Sequence, residues 1–578
     1  DLRVKSPSEN QTLIKGGIGF VSTKLSVETP LIKDKLHILA AGRVAHNGFI
    51  FRLMDRLKNT KASFWDTTVK LNYRPNDRNQ ISATGFFSHD FNQLDIGSTI
   101  NNVVATSNQN QYQMLNGTLN WLHTLGNQSV LRTTFVSSDY QPSLLFPQPD
   151  RTEKIVYQSR IQYQSWMQEW TSAQKEPLAL TFGTQANRYQ LSPGALLTNN
   201  IDGLSDFQLN EEISYELAGY AHANWEMSPK FSVSAGLRFT QYLLTGPFQQ
   251  ANYSDVNLSD VTSLINFEKG EKVIAYNGLE PRIGWRWQLS NNTAIKGNYD
   301  QTDQYFQNIY NSTTPLPTSR WKSADAYIKP QRGTTYSLGI YQNFKNDEFA
   351  VNVEGYYRTV KNVLDYQPGA DFFLQAFIER AVQQGDGKAY GVELGINKPN
   401  GTINGWLNYT WSRSLRQFSA QSLKRRINNN RQFASDFDQP HVVNGVLNWE
   451  PNDFNTISFN FTYQTGRPYT IANGTFEVND IKIPIFIERN NDRLPDYHRL
   501  DFSWRIHNFN MKTDKRWVGD WVFTVYNLYG RQNAYNWYYT QRDGGRLSEV
   551  FSDSPLGAFQ LSIFSSPVFS LGYSFRFQ

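Results

Sequence analysis

The chain ends with Phe569-Ser570-Leu571-Gly572-Tyr573-Ser574-Phe575-Arg576-Phe577-Gln578. In this stretch large apolar side chains alternate with small or polar ones. Successive side chains of a β-strand point to opposite faces, so the stretch has one aromatic and aliphatic face and one polar face. Such a strand suits a wall with lipid on one side and water on the other. We therefore predict that the chain ends on a membrane-spanning β-strand.

The same alternation recurs along nearly the whole chain and is clear in residues 64–74. A short polar link follows at residues 75–78, then another alternating run, then a long polar connection at residues 91–111. This order of strand, short turn, strand and long loop repeats to the C-terminus. Outer-membrane barrels have short turns in the periplasm and long loops outside, whereas a soluble β-propeller or sandwich has no reason to sort its connections by length.

The sequence therefore predicts an all-β fold, a transmembrane antiparallel β-barrel of about 22 strands with short periplasmic turns and long extracellular loops. Its first strand is predicted at residues 2–9. No linker or change of composition divides the 578 residues, so residues 1–578 are predicted to form one barrel domain. A barrel of this width leaves a lumen that its own side chains cannot fill.

Composition limits the classes of function. Aromatic residues make up 15% of the chain, which fits rings at two membrane interfaces, and Trp411, Tyr469 and Tyr497 fall near predicted strand ends where such rings would lie. The net charge of +5 is spread along the chain, so nucleic acid is not a predicted partner. Catalytic and metal-ligand spacings are missing from the sequence, which predicts neither an enzyme nor a cofactor or metal site.

Several phrases resemble, in order and spacing, the barrel half of the TonB-dependent transporters of the bacterial outer membrane. They are LEPRI at residues 279–283, AYGVEL at 389–394, GWLNYTWSR at 405–413, QPHVVN at 439–444, QTGRPYT at 464–470 and YHRLD at 497–501. The resemblance covers essentially the whole chain. It implies a bacterial outer-membrane location, and it implies that a plug domain and the segment that contacts TonB precede this sequence.

The family resemblance implies energised import of a scarce ligand that is too large for porins, such as a siderophore, a glycan, a peptide or a vitamin. Two other functions remain open: a transporter-like barrel that is a structural subunit of a larger outer-membrane complex, and a plugless channel. The expected partners are outer-membrane lipid and lipopolysaccharide, TonB through the missing N-terminal segment, the outer-membrane assembly machinery, and a surface lipoprotein or other complex subunits.

Two predicted extracellular loops carry candidate ligand-binding residues. In the first, Arg425, Arg426 and Arg431 concentrate positive charge that suits phosphate or carboxylate groups, and the alternative is a solvated loop surface. The second offers aromatic planes beside a guanidinium group, which suit sugars or planar chelates, and the alternative is a strand that continues past the membrane rim. Its candidate residues are Tyr535, Trp537, Tyr538, Tyr539 and Arg542.

The C-terminal aromatic residues form a candidate assembly signal. Outer-membrane barrels usually finish on a strand with a terminal aromatic residue that the assembly machinery reads, and Tyr573, Phe575 and Phe577 resemble that pattern. The sequence departs from it by one additional residue, Gln578.

Overall fold

The computed structural model describes residues 4–45, 48, 51, 60–94, 108–126, 128–147, 154–173, 177–198, 205–255, 257–309, 320–345, 347–367, 370, 374–422, 425–478, 481–507, 516–543, 546–547, 556–562 and 566–577. Short 3-10 turns within this part of the chain include Ile378–Arg380 and Asn428–Asn430. Among these residues, none of the helices is both long and apolar enough to span a bilayer.

The strands are β1 (Leu13–Gly19), β2 (Ser22–Ile32), β3 (Leu36–Ala45), β4 (Lys61–Asn76), β5 (Asn79–Leu94), β6 (Asn108–Thr124), β7 (Val130–Pro147), β8 (Lys154–Thr171), β9 (Leu178–Leu197), β10 (Phe207–Gln208), β11 (Glu212–Ser228), β12 (Phe231–Thr245), β13 (Phe248–Tyr253), β14 (Val261–Phe267), β15 (Lys272–Ser290), β16 (Thr293–Gln304), β17 (Phe306–Ile309), β18 (Arg320–Ser323), β19 (Gln331–Phe344), β20 (Phe349–Tyr366), β21 (Val382–Lys398), β22 (Ile403–Gln417), β23 (Phe433–Ala434), β24 (His441–Asn452), β25 (Asn455–Gln464), β26 (Pro468–Tyr469), β27 (Gly474–Val478), β28 (Ile481–Ile485), β29 (Asp492–Arg493), β30 (Tyr497–Ile506), β31 (Trp517–Tyr526), β32 (Asn536–Asp543), β33 (Arg546–Leu547), β34 (Leu556–Leu561) and β35 (Val568–Phe577).

The long strands close into one antiparallel barrel of 22 strands, which confirms the predicted fold. Each barrel strand pairs with the next one along the chain. The last strand, β35, pairs with β31 on one edge and with β1 on the other, so the sheet has no free edge. The remaining short strands lie in the connections between barrel strands or extend the ends of the wall.

The two faces of the wall differ in chemistry, and β4 shows this most clearly. Exposed and half-buried residues alternate along it, with Trp65, Val69 and Leu71 on the exposed outer face. Asp66 and Lys70 lie on the opposite face, which lines the lumen. The predicted alternation between a lipid-facing and a water-facing side is therefore present in the wall.

The connections are sorted by length between the two ends of the barrel. Residues 77–78, 229–230 and 291–292 form tight turns at one end, and the long connections lie at the other end, which is extracellular in this class of barrel. The clearest departures from this sorting are one connection at each end. Residues 20–21 join β1 to β2 at the extracellular end, and the longer segment 507–516 joins β30 to β31 at the periplasmic end.

The prediction of a strand at residues 2–9 is wrong for the residues described there. The first strand is β1, and residues 4–8 have no regular structure. Side chains of the inner wall hold this segment instead of a backbone ladder. Lys5 is paired with Glu28, Lys70 Nζ donates to the Val4 carbonyl oxygen at 2.6 Å, and Arg74 is paired with Glu9 at 3.3 Å.

The pairing of β31 with the last strand β35, called the seam below, is packed with aromatic rings. The Trp517 ring stacks on Phe575 with 4.4 Å between centroids, and Trp517 Nε1 donates to the Tyr573 hydroxyl at 2.9 Å. Gly519 leaves room for this arrangement, because a Cβ atom there would overlap the Tyr573 hydroxyl. The seam thus contains Tyr573, Phe575 and Phe577, whose recognition by the assembly machinery remains a prediction.

Leu71→Arg places a charge on the lipid-facing side of β4. We expect it to destabilise the inserted barrel by ~2–4 kcal/mol at the bilayer midplane, because the guanidinium group loses its hydration in hydrocarbon. The matched control is Thr68→Arg, which adds the same side chain to the lumen face of the same strand. Equal folded fractions of the two variants in urea titrations in lipid vesicles would contradict the assignment of the faces.

Gly519→Val should displace Tyr573 from the seam. Overpacking of this kind costs roughly 1–3 kcal/mol, and we expect it to destabilise the pairing of β35 with β31. Gly117→Val is the control, since a Cβ atom at Gly117 meets nothing within 4 Å. Heat-modifiable gel mobility measures the folded fraction. We expect a lower unfolding temperature for the Gly519 variant alone, and an unchanged temperature would refute the role of the seam.

Candidate functional site

At the extracellular end the long connections pack against one another above the lumen. One apolar cluster joins the end of β20 and the start of β21 to residues from two connections and contains Ile309, Ile328, Leu364, Tyr366, Ile378, Ala381 and Val382. A second cluster joins β20 to the connection 418–440 and contains Val363, Phe418, Ile427 and Phe433. Because these side chains are buried, the connections form a packed layer.

A buried carboxylate holds two of these connections to the wall. Asp438 is fully buried, and its Oδ1 accepts from Arg413 Nε at 3.1 Å and from the Ser414 backbone N–H at 2.6 Å. Its other oxygen is paired with Arg493, whose Nη1 also donates to the Gly466 carbonyl oxygen at 3.0 Å. Asp438 therefore ties the connections 418–440 and 465–496 to β22.

A second buried carboxylate, on β20, likewise holds a connection to the wall. Asp365 at the end of β20 is paired with Arg489 at 2.5 Å and with Arg416 at 3.2 Å. The Arg489 guanidinium carbon lies 3.7 Å from the centroid of the Tyr366 ring. Arg489 and Asn428 also exchange two hydrogen bonds, at 2.7 and 2.8 Å. These contacts fix the connection 465–496 over the barrel mouth.

A cavity of about 350 Å³ lies beside this layer, between the extracellular ends of β25, β30 and β31. The Arg499 guanidinium carbon stands 4.1 Å from the centroid of the Tyr526 ring, and Arg499 Nη1 donates to the Tyr497 hydroxyl at 2.7 Å. Asp501 balances its charge at 3.0 Å. The cavity is also lined by Gln439, Gln464, Gly466, Arg467, Leu494, Pro495, Asn527, Asn533, Ala534 and Tyr535.

A third charged centre lies across the barrel mouth, where Lys322 is buried between two carboxylates. Its Nζ is 2.9 Å from Glu212 Oε1 and 2.8 Å from Asp325 Oδ2. Burial alone would lower the pKa of Lys322, but Asp325 and Glu212 outweigh that effect and raise it. Nearby, Tyr253 donates to Glu379 at 2.6 Å, and burial raises the pKa of the Glu379 carboxyl.

The predicted basic loop does not present a continuous cationic surface. Arg425 is half-buried and donates to the carbonyl oxygens of Asn257 and Val382, at 2.7 and 3.1 Å. Arg426 donates within its own loop, to the Ala420 and Gln421 carbonyl oxygens. Arg431 is exposed. Two of the three guanidinium groups therefore hold backbone in place.

The predicted aromatic loop is only partly brought to the cavity. Tyr535 lines it, is 57% exposed, and accepts a hydrogen bond from Arg467 on its carbonyl oxygen at 2.6 Å. Trp537 lies 6.1 Å from Tyr469, centroid to centroid, and accepts from the Tyr469 hydroxyl on its carbonyl oxygen at 2.8 Å. The backbone of β32 includes Tyr538, Tyr539 and Arg542, but their side chains lie outside the described part of the structure.

Two tyrosines predicted as girdle rings have other positions. Tyr497 lines the cavity and Tyr469 is buried among the connections, so neither lies at the lipid boundary. Trp411 is exposed on β22, as predicted. The sequence did not identify Arg499 or Tyr526 as site residues, although their alternation with outward residues on β30 and β31 was a usable signal. In the part of the chain that is described, His, Asp and Glu residues form no group of three or more suited to a metal ion.

A closed barrel with an apolar outer face, a polar lumen and long packed connections at one end defines a large outer-membrane barrel. The family model "TonB dependent receptor-like, beta-barrel" matches residues 46–528, and the chain belongs to this family. Its members are transporters of the bacterial outer membrane that interact with TonB. No curated protein matches the chain.

Solved structures with the same fold include transporters of iron and copper. The ferric-catecholate import receptor Fiu from E. coli K12, in its closed form, has a TM-score of 0.62 and 13% identity over 99% of this chain and 82% of that protein. The FrpB iron transporter from Neisseria meningitidis (F5-1 variant) has a TM-score of 0.64 and 13% identity over 99% and 83%. The copper transporter OprC has a TM-score of 0.64 and 10% identity over 99% and 82%. At these identities the likeness shows the fold.

Asp438→Asn should loosen the packed connections, because it leaves Arg413 and Arg493 without their charge partner. We expect a loss of stability on the order of 3 kcal/mol or less, since both guanidinium groups keep partial access to water. Limited proteolysis should cleave the connections 418–440 and 465–496 faster. Asp453→Asn, in an exposed turn, is the control. Equal cleavage rates in the two variants would contradict the proposed tie.

Proposed function

We propose that this chain is the barrel of a transporter that imports a scarce ligand across the outer membrane with energy supplied through TonB. The observation that carries the proposal is the cavity of about 350 Å³ beside the packed extracellular connections. An open channel needs neither the packed connections nor a lined cavity at its mouth. A transporter that must capture a dilute ligand before moving it needs both.

The chemistry of the cavity favours a polar ligand with several oxygen atoms. Two guanidinium groups, from Arg467 and Arg499, can donate to carboxylate or hydroxyl oxygens. The rings of Tyr497, Tyr526 and Tyr535 can cover a flat or sugar-like surface. The neighbouring amides of asparagine and glutamine both donate and accept, which suits hydroxyl groups. A glycan, a peptide or an iron-chelating siderophore fits this set.

The structural neighbours favour a ferric chelate within this group. Fiu imports ferric catecholates and FrpB is an iron transporter, whereas OprC transports copper. We infer for this chain a ligand that brings its own oxygen-rich surface to the cavity. The proposed contribution of Tyr535 is a direct contact. Arg425 and Arg426 contribute by holding the connections, and Trp537 supports Tyr469 beside the cavity.

Arg499→Met tests the site, because it removes the charge and keeps most of the side-chain volume. Cells that produce the protein would be supplied with ferric citrate, maltoheptaose, cobalamin or a hexapeptide as the only source of the nutrient. We expect growth on at least one of them to require both the wild-type barrel and TonB, and to fall at least about tenfold in rate of uptake with Arg499→Met.

The control for this variant is Arg505→Met, which removes a lumen-facing guanidinium group from the same strand farther from the cavity. It should retain uptake. Surface abundance and heat-modifiable mobility establish that both variants fold. If uptake is unchanged by Arg499→Met, the cavity is not the capture site. If no tested nutrient depends on TonB and this barrel, import of these ligand classes is refuted.

A second function, a structural subunit of a larger outer-membrane complex, is favoured by one surface feature. The hairpin of β27 and β28 and the residues just after it expose apolar side chains at the extracellular end, including Phe476, Ile485 and Ile487, the last being 65% exposed. Exposed apolar groups of this kind commonly mark contacts with another protein. Native mass spectrometry of wild-type and Ile487→Lys barrels would detect a stoichiometric partner and its loss, and a single-chain mass for both would exclude this role.

A further inference from the structure

A second cavity, of about 220 Å³, lies at the extracellular end and shares no lining residue with the first. Its walls come from β10, the start of β11, the hairpin of β13 and β14, β18 and the 3-10 turn Ile378–Arg380. Aromatic surface comes from Phe207, Phe248, Phe377 and Tyr327. Arg320 also lines the cavity, beside the buried charged group of Lys322, Glu212 and Asp325.

Arg320 is a buried cation whose hydrogen bonds are incomplete. The residue is 4% exposed, and its Nη1 donates to the carbonyl oxygen of Gln375. Its Nε has no hydrogen-bond partner, and no carboxylate among the described residues lies within ion-pair distance of its guanidinium group. Burial lowers the pKa of Arg320, as expected for a charge that has lost its hydration.

The acids around this cavity are already engaged. Glu212 accepts from Lys322 and from the Ser323 backbone N–H at 2.8 Å. Asp325 accepts from Lys322 and from the backbone N–H groups of Tyr327 and Ile328 at 2.8 and 2.7 Å. Glu379 accepts from Tyr253. None of these carboxylates forms an ion pair with Arg320, and the charges of Glu212 and Glu379 offset only part of the effect of burial on its pKa.

Other arginines that join the connections to the wall do have carboxylate partners. Arg489 is paired with Asp365, and Arg493 with Asp438. A buried charge without a partner destabilises a fold. Because this fold pairs these other arginines, an unpaired arginine suggests that a ligand supplies the anion. Arg320 and its cavity meet this description.

We propose that this cavity binds a small aromatic carboxylate, with the carboxylate on the Nε–H of Arg320 and the ring against Phe248 and Phe377. The volume suits a compact molecule, because it is below the ~300–1,000 Å³ of pockets for drug-sized ligands. A monoanion matches the one unpaired guanidinium group. A phosphate dianion would bring a second negative charge towards Glu212, Asp325 and Glu379, which face the same cavity.

Calorimetry on the purified wild-type barrel tests this site with sodium benzoate as the probe. We expect saturable binding with a dissociation constant of about 1 mM or lower, and none for benzyl alcohol or inorganic phosphate. Equal binding of benzoate and benzyl alcohol would mean partition into detergent and would overturn the proposal, as would the absence of benzoate binding. Binding of phosphate instead would overturn the assignment of an aromatic carboxylate.

Two variants locate the bound carboxylate. Arg320→Gln should abolish benzoate binding, and Gln208→Glu should weaken it about tenfold by adding a negative charge at an exposed position of the cavity wall. The second variant keeps the test decisive if the first does not fold. Unchanged binding in folded Arg320→Gln, or in Gln208→Glu, would refute the site. Because Arg499 lines the other cavity, Arg499→Met should leave benzoate binding intact, which separates this site from the proposed import function.

Discussion

Hydrogen bonding of the backbone within the bilayer is the constraint on which this structure depends. Hydrocarbon supplies no partner for N–H and C=O groups, so every strand in it must pair along both edges. The pairing of β35 with both β31 and β1 meets that requirement for the whole wall. Once the wall is closed, its outer face must be apolar and its lumen can be polar. The period of two in the sequence is the direct consequence.

The extracellular connections are free of that constraint and are built by the rules of water-soluble proteins. They have short sheets of their own, apolar clusters and buried carboxylates that accept from arginine. A buried ion pair is weak support for stability, but it fixes geometry, because a misplaced partner leaves an unpaired charge. Asp365 and Asp438 therefore determine where the connections lie above the lumen more than how stable the barrel is.

The wall could be predicted from the sequence because alternation is a local property that survives in each strand. The error at residues 2–9 shows the limit of this reasoning. An extended segment held by Lys70 and Glu28 can alternate like a strand although it makes no ladder, and alternation does not reveal which backbone groups are paired. The girdle assignment of Tyr469 and Tyr497 failed for a related reason. Tyr469 lies where the chain has left the wall, so the period says nothing about it, whereas Tyr497 begins β30 on the lumen face with Arg499 and Asp501.

The candidate sites were harder to predict because their contacts join distant parts of the chain. Arg489 meets Asp365 across 124 positions, and Lys322 meets Glu212 across 110. A run of arginines in one loop says how much charge is present, but not how much of it is already engaged. Arg425 and Arg426 donate to carbonyl oxygens, whereas Arg320, which stands apart from any basic run, has a donor without a partner. The charge available to a ligand is what remains after the fold has satisfied its own buried groups, and only the three-dimensional arrangement shows that remainder.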